Sequence, residues 1–188
     1  MPAEESREEI LNEILHREWA MFHTVPNAGG SASCQNQAQA FSLMRQVAYY
    51  PLSTDFLLAW RDALRKAAAD GRNLMTEKYA LMKKKTLPRS PQQQDIEQIL
   101  ANECTWYADF SKEFPRTAQP DNGAFYHYLC CELHTYPKEA LQAYAACVQA
   151  AQKAGKNLVR ERYEFLAYRL GYTSLAAWEA VHTMTKAW

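Results

Sequence analysis

Apolar residues recur at spacings of three and four along most of the chain, as in Leu11, Ile14, Leu15 and Phe22, or Leu141, Tyr144, Ala145 and Val148. That period puts them on one stripe of an α-helix. The pattern predicts helices over 6–23, 35–50, 53–69, 73–85, 92–111, 123–135, 138–153, 157–170 and 174–186. The breaks between them have their own chemistry. Pro51 and Pro137 each follow a Tyr that they push out of the helical region, and each is suited to open the next helix at its first turn. Gly71 and Gly155 suit the left-handed cap that ends a helix, and Asn73 and Asn157 are placed to cap the one that follows. Leu87-Pro88-Arg89-Ser90-Pro91-Gln92, with two prolines, predicts a linker over 87–92.

The chain also resembles itself. Tyr50-Pro51 recurs as Tyr136-Pro137, and the run from Gly71-Arg72-Asn73-Leu74 to Tyr79 recurs as Gly155-Lys156-Asn157-Leu158 to Tyr163. Upstream, Leu11, Ile14, Leu15, Glu18 and Phe22 find counterparts in Ile96, Ile99, Leu100, Glu103 and Tyr107, and every offset falls between 84 and 86 residues. A fixed period with unusual residue types points to duplication. The fold expected is therefore all-α, a helical bundle in a single domain over 1–188. It would be built from two tandem-duplicated four-helix halves, 6–86 and 92–171, followed by a final helix within 174–186.

Composition agrees and narrows the classes. Only nine residues are Val or Ile, against many Ala, Leu, Glu, Gln, Lys and Arg, which disfavours a sheet. The 21 basic and 21 acidic side chains cancel, which removes the electrostatic term behind non-specific nucleic-acid binding. The one basic run, Lys83-Lys84-Lys85, falls at an expected helix end, where cations complement the dipole. No stretch is long and apolar enough to span a bilayer, and the start, Met1-Pro2-Ala3-Glu4-Glu5, is unlike a signal peptide, so no membrane and a cytoplasmic location are expected. Five cysteines without C-x-x-C spacing fit buried thiols in a reducing compartment.

Charged residues fall on the apolar stripes. Glu18 lies seven residues after Leu11, in the middle of its stripe; Glu103 and Glu132 do the same on theirs. Lys78 and Arg162 lie one turn beyond Leu74 and Leu158, and Arg45 and Arg61 sit beside apolar stripes. A buried charge left alone costs several kcal/mol, so Glu18 and Glu103 should each meet a Lys or Arg. Two readings follow. One is a set of duplicated interior salt bridges; the other is a polar cavity whose charges face a small ligand. A two-metal carboxylate site is a weaker alternative, because Glu13-x-x-His16 and Glu179-x-x-His182 match the E-x-x-H spacing but Glu13 and His16 point away from the apolar stripe. No metal ligands are therefore assigned. His127 and His134 share a face at a spacing that fits packing or hydrogen bonding better than ligation.

The loop from Val25 to Asn36 has no counterpart in the second half. It holds Asn27, Gly29, Gly30, Ser31, Ser33, Cys34 and Gln35. Adjacent glycines allow close approach of a ligand, and Cys34 would sit near a helix N-terminus, where a thiolate is favoured and His23 is a candidate base. The alternative is a tight connection with a buried Cys.

Glu18-Trp19-x-Met21-Phe22-x-x-Val25-x-Asn27-x-Gly29-Gly30-x-Ala32-x-Cys34-Gln35, then Phe41-x-x-Met44-Arg45, together with Gly71-Arg72-Asn73-Leu74-x-x-Glu77-Lys78-Tyr79-Ala80 and Gly171-Tyr172-x-Ser174-Leu175, resembles an uncharacterised bacterial family, a domain of unknown function sometimes found beside a nucleotidyltransferase-like domain. The resemblance covers most of the chain and implies no activity. It leads to an expected Arg-Gly just before Glu132, where this chain has Cys130-Cys131. Taken together, these features point to an enzyme or sensor for a small molecule, with a charge-lined pocket between the halves closed by the 27–35 loop. Glu18, Glu103 and Glu132 would supply acid–base groups and Cys34 a nucleophile. Arg45, Lys78, Arg162, Trp19, Trp106, Asn27, Gly29, Gly30 and Gln35 would bind the ligand. The competing reading is a helical adaptor or chaperone-like module that takes a partner peptide, protein or second copy in an apolar groove, motivated by 23 Trp, Tyr and Phe residues.

Overall fold

The computed structural model describes residues 5–26, 33–119 and 123–181. Among these the fold is all-α. Its helices are α1 (Arg7–His23), α2 (Ala38–Tyr49), α3 (Thr54–Ala69), α4 (Leu74–Met82), α5 (Gln93–Glu113), α6 (Ala124–Leu133), α7 (Lys138–Lys153), α8 (Leu158–Arg169) and α9 (Leu175–Val181), with a 3-10 turn over Ser33–Asn36. No helix among the described residues is long and apolar enough to cross a membrane.

Local chemistry sets the ends. Ser6 and Glu9 form a reciprocal capping box at the start of α1. Asn73 and Asn157 cap α4 and α8 in the same way, each side-chain oxygen accepting from the backbone N–H three residues on at 2.9 Å. Gly71 and Gly155 end the preceding helices at φ 69° and 65°, a conformation an L side chain adopts only with strain. Three expected boundaries shift. The 35–50 segment divides into the 3-10 turn and α2, because Gln37 breaks the helix without a side-chain cap. α3 is capped by Ser53, two residues beyond Pro51, whereas Pro137 itself stands at the cap of α7. α4 stops at Met82, leaving Lys83, Lys84 and Lys85 outside its body. Of the expected final helix, α9 is described to Val181, and 182–188 lie outside the described residues.

The principal packing pairs obey a simple rule. α1 packs on α2, α3 and α4, and α5 packs on α6, α7 and α8; α2 then meets α8, α4 meets α6, and α3 meets α7. Shifting every label by four returns the same set, with α3–α7 mapping onto itself. The large core follows this frame, with Ile10, Ile14, Phe56, Leu57, Trp60, Leu64, Ile96, Ile99, Leu141 and Val148 all buried in it. Burial of each such side chain contributes about 1.5–3 kcal/mol. A smaller core of Phe110, Phe114, Val159, Ala167, Leu175 and Trp178 lies outside the rule, where α9 covers α8.

Candidate functional site

Glu18 lands inside because it shares the α1 stripe with Ile14, Leu15 and Phe22, and it is fully buried. A carboxylate there needs partners, and α2 and α3 supply them. Arg45 holds both of its oxygens, Nε to Oε2 at 2.9 Å and Nη2 to Oε1 at 2.8 Å, while the Tyr49 hydroxyl and the Trp60 indole N–H donate to Oε1 at 2.5 and 2.9 Å. The same guanidinium continues across to the second half, with Nη2 2.7 Å from Glu132 Oε1. Glu132 also takes the Lys78 ammonium on Oε2 at 2.7 Å and the Tyr136 hydroxyl on Oε1 at 2.6 Å. Two carboxylates and two cations from α1, α2, α4 and α6 thus close into one neutral cluster.

Glu103, fully buried on α5, makes a smaller version. Arg162 of α8 holds both its oxygens at 2.7 and 2.9 Å, and the Tyr144 hydroxyl donates to Oε1 at 2.7 Å. Arg162 Nε also donates to the Ala48 carbonyl on α2 at 3.1 Å. Tyr144 stands where Trp60 stands in the first half, and Arg162 where Lys78 stands, each 84 residues on. Lys78, however, serves Glu132 rather than Glu18, because Arg45 already occupies Glu18. The buried tyrosines that serve Glu18 and Glu132 are Tyr49 and Tyr136. Tyr50, matched to Tyr136 in the sequence, is half exposed and stacks on Phe165 at 4.3 Å.

Electrostatics follows from this wiring. Burial alone would push the Glu132 carboxyl up, but Arg45 and Lys78 outweigh it and hold it well below the usual carboxylate range. Burial works against Arg45 and Lys78 too, and the facing carboxylates reverse it, so both cations are held above their ordinary values. Burial drives Tyr49, Tyr136 and Tyr144 well above the usual phenol range, so they donate as neutral hydroxyls. Among the described residues, every fully buried side-chain nitrogen and oxygen has a hydrogen-bond partner. The oxygens of Glu18, Glu103 and Glu132 are already engaged by cations and hydroxyls, which suits a frame better than a proton-transfer site.

The other expected site residues are dispersed. Gln35 is buried and donates to the Phe22 and Val25 carbonyls at 3.0 and 2.9 Å, and His23 Nδ1 lies 3.2 Å from the Gln35 carbonyl, so this residue fastens the turn to the end of α1. Trp19 is half-buried against Phe22, His23 and Phe41. Trp106 is packed against both cores, and its carbonyl takes the Asn157 amide at 3.1 Å. Asn73 makes the corresponding bond to the Met21 carbonyl at 2.9 Å. Asn27, Gly29 and Gly30 lie outside the described residues, as does the side chain of Cys34. Arg61 is paired with Glu5 and Asp62. Glu13 is held by Arg17 and Arg65, Arg65 first in effect, and lowered to about 2. Glu179 accepts the Arg116 and Thr117 backbone N–H groups at 2.9 and 2.8 Å, and His182 is outside the described residues. Among the described residues no three His, Cys, Asp or Glu side chains gather in a metal-binding group.

What the sequence did not single out is a cleft of about 370 Å³ at the junction of the halves. Its walls are the 85–89 segment, the first turns of α5 with Gln93 and Glu97, and the α6 face bearing Tyr126, His127, Cys130 and His134. It exists because α4 stops at Met82 while α8, aligned at the 84-residue offset, runs three residues further. The chain that leaves α4 is then fastened back onto α6: His127 Nε2 lies 3.0 Å from the Met82 carbonyl, and His134 Nε2 lies 3.1 Å from the Pro88 carbonyl. Lys85 and Arg89 stand at this cleft without an acidic partner among the described residues, while Glu97 accepts from Gln93. Cys130 is pushed up to about 11 by burial and its cysteine neighbours, so it stays a thiol near neutrality. A second cleft, of about 460 Å³, lies beside the Tyr50–Phe165 stack and the exposed Tyr168.

No curated protein and no solved structure matches this chain. One family model does, across residues 8–180, and it carries the fold, both ion clusters and the cleft within its span. The chain belongs to that family, described as a protein of unknown function (DUF4125).

Proposed function

We propose that this protein binds a small anionic molecule in the cleft between the 85–89 segment and α6, and that the buried ion clusters are the frame that holds the cleft's walls. One observation carries the reading: Lys85 and Arg89 face a ligand-sized cleft and, among the described residues, form no ion pair, whereas Arg45, Lys78 and Arg162 in the interior are paired. Concave sites with a few convergent polar groups are where small ligands bind. Binding fits the chemistry better than acid–base or thiol catalysis, since the interior glutamates are engaged by cations and Cys130 is held neutral. A cytoplasmic sensor of an anionic metabolite is the role we assign. The test is titration with inorganic sulfate, followed by calorimetry. The intact chain should bind, and a Lys85→Gln, Arg89→Gln double variant should not. Equal binding by both would remove the assignment.

We also propose that the two halves descend from one four-helix unit. Matching caps at Asn73 and Asn157, their matching bonds to the Met21 and Trp106 carbonyls, and the shift-by-four packing rule support it. A second reading, a site for a protein partner, is favoured by the Tyr50, Phe165 and Tyr168 face, where Tyr168 is 76% exposed.

A further inference from the structure

We infer that the second cleft, beside α8, binds a small ammonium ion whose nitrogen carries alkyl groups. This cleft measures about 460 Å³ and shares no lining residue with the anion site, so the inference stands apart from that reading. Its size is that of a small-ligand site. On α8, Glu161, Glu164, Phe165 and Tyr168 fall at i, i+3, i+4 and i+7, which line up along one side of a helix. Tyr50, at the end of α2, lays its ring flat on Phe165, with centroids 4.3 Å apart and planes 13° from parallel. Tyr168 adds a third ring, 76% exposed. Aromatic rings left open at a concave site offer π faces, whose quadrupole attracts cations.

The charge of the walls points the same way. Glu161 has the Lys156 ammonium at 3.6 Å, whereas Glu164 is exposed and forms no ion pair among the described residues. Two carboxylates against one ammonium leave the cleft one negative charge in excess. A cation entering it meets the rings and the Glu164 carboxylate together. The stack already draws one cation from outside the cleft: Arg169 places its guanidinium carbon 5.5 Å from the centre of the Phe165 ring. Hydrogen bonding then selects the kind of cation. A primary ammonium brings three N–H donors that ring faces leave poorly satisfied. An alkylated ammonium brings fewer donors or none, and its apolar shell packs on the rings while its charge is balanced by Glu164. An apolar side chain of a protein partner is the competing occupant of this face, and charge is what separates the two.

Choline is the probe, and its uncharged analogue with carbon in place of nitrogen is the control of equal shape. Backbone amide shifts of the full isotope-labelled chain report both affinity and place. Choline should saturate a site whose shifts centre on α8 and Tyr50, and the uncharged analogue should bind about tenfold more weakly. Glu164→Gln should weaken choline about threefold to fivefold and leave the analogue unchanged, as for one charge at a solvated site. Tyr168→Leu, which keeps apolar bulk and removes a π face, should weaken choline by a similar factor. Both positions are exposed, so neither change threatens the fold. Equal affinities for choline and its analogue, as an apolar side-chain site would give, overturn the inference. Choline binding that survives Glu164→Gln combined with Tyr168→Leu overturns it too, as does the lack of saturable binding below about 10 mM.

Discussion

The molecule keeps charge in two kinds of place. In the interior, Glu18, Arg45, Glu132 and Lys78, and separately Glu103 and the mostly buried Arg162, are matched ion for ion. At the cleft, Lys85 and Arg89 are open to solvent and form no ion pair among the described residues. Buried charges must be neutralised by the protein itself, since desolvation costs more than any ligand encounter can reliably return. Charges at a cleft edge cost little to leave free and are available to a ligand. The difference teaches that charges on apolar stripes hold the fold, while exposed cations at a cleft's edge need no counter-ion from the protein.

The sharpest way to break the interior side of this contrast is Arg45→Met. It strands Glu18 and Glu132 facing one another with only Lys78 between the halves, and should cost about 3–5 kcal/mol in a urea unfolding experiment. Glu103→Gln comes next, at about 3 kcal/mol, because it leaves Arg162 buried with Tyr144 and the Ala48 carbonyl alone. Replacing Glu103 and Arg162 together by Leu should recover most of that loss, which would separate the cost of a broken pair from the worth of an intact one. Acid should act more gently. The Glu132 carboxyl is depressed in the folded chain, so its contribution is fully present above the ordinary glutamate value and fades as pH falls through the depressed one. Thermal melts between about pH 6 and about pH 3 should show stability falling over that acid range, and Glu132→Gln should flatten the slope. The smallest effect on stability belongs to the cleft. Lys85→Gln with Arg89→Gln should stay within about 0.5 kcal/mol of the parent while removing sulfate binding.

The helices were legible because a 3.6-residue period and cap residues act locally; the helix expected over 138–153 coincides with α7. Burial of Glu18, Glu103 and Glu132 was legible from the stripes, and so was the need for a cation beside the first two. Which cation was not. Lys78 and Arg162 hold equivalent positions, yet Arg45 displaces Lys78 from Glu18 and sends it across the molecule to Glu132, a choice made by the contacts of α4 with α6. Tyr49 and Tyr50 show the same limit. The shared Tyr-Pro dipeptide aligns Tyr50 with the buried Tyr136, yet a one-residue shift puts Tyr49 rather than Tyr50 in the core. The cleft was hidden because it depends on α4 ending at Met82 and on two histidines holding backbone carbonyls 45 and 46 residues away. No local period reports such a contact, although the shared face of His127 and His134 was its one visible trace.

The central claim is that the interior charges frame and the linker charges bind. Backbone amide shifts of the isotope-labelled protein during a sulfate titration test it directly. The account predicts changes concentrated on 85–97 and along α6 around His127 and His134, with the amides of Glu18, Arg45 and Glu103 unmoved. Saturating changes centred on Glu18 and Glu103 instead, with the linker silent, would contradict it.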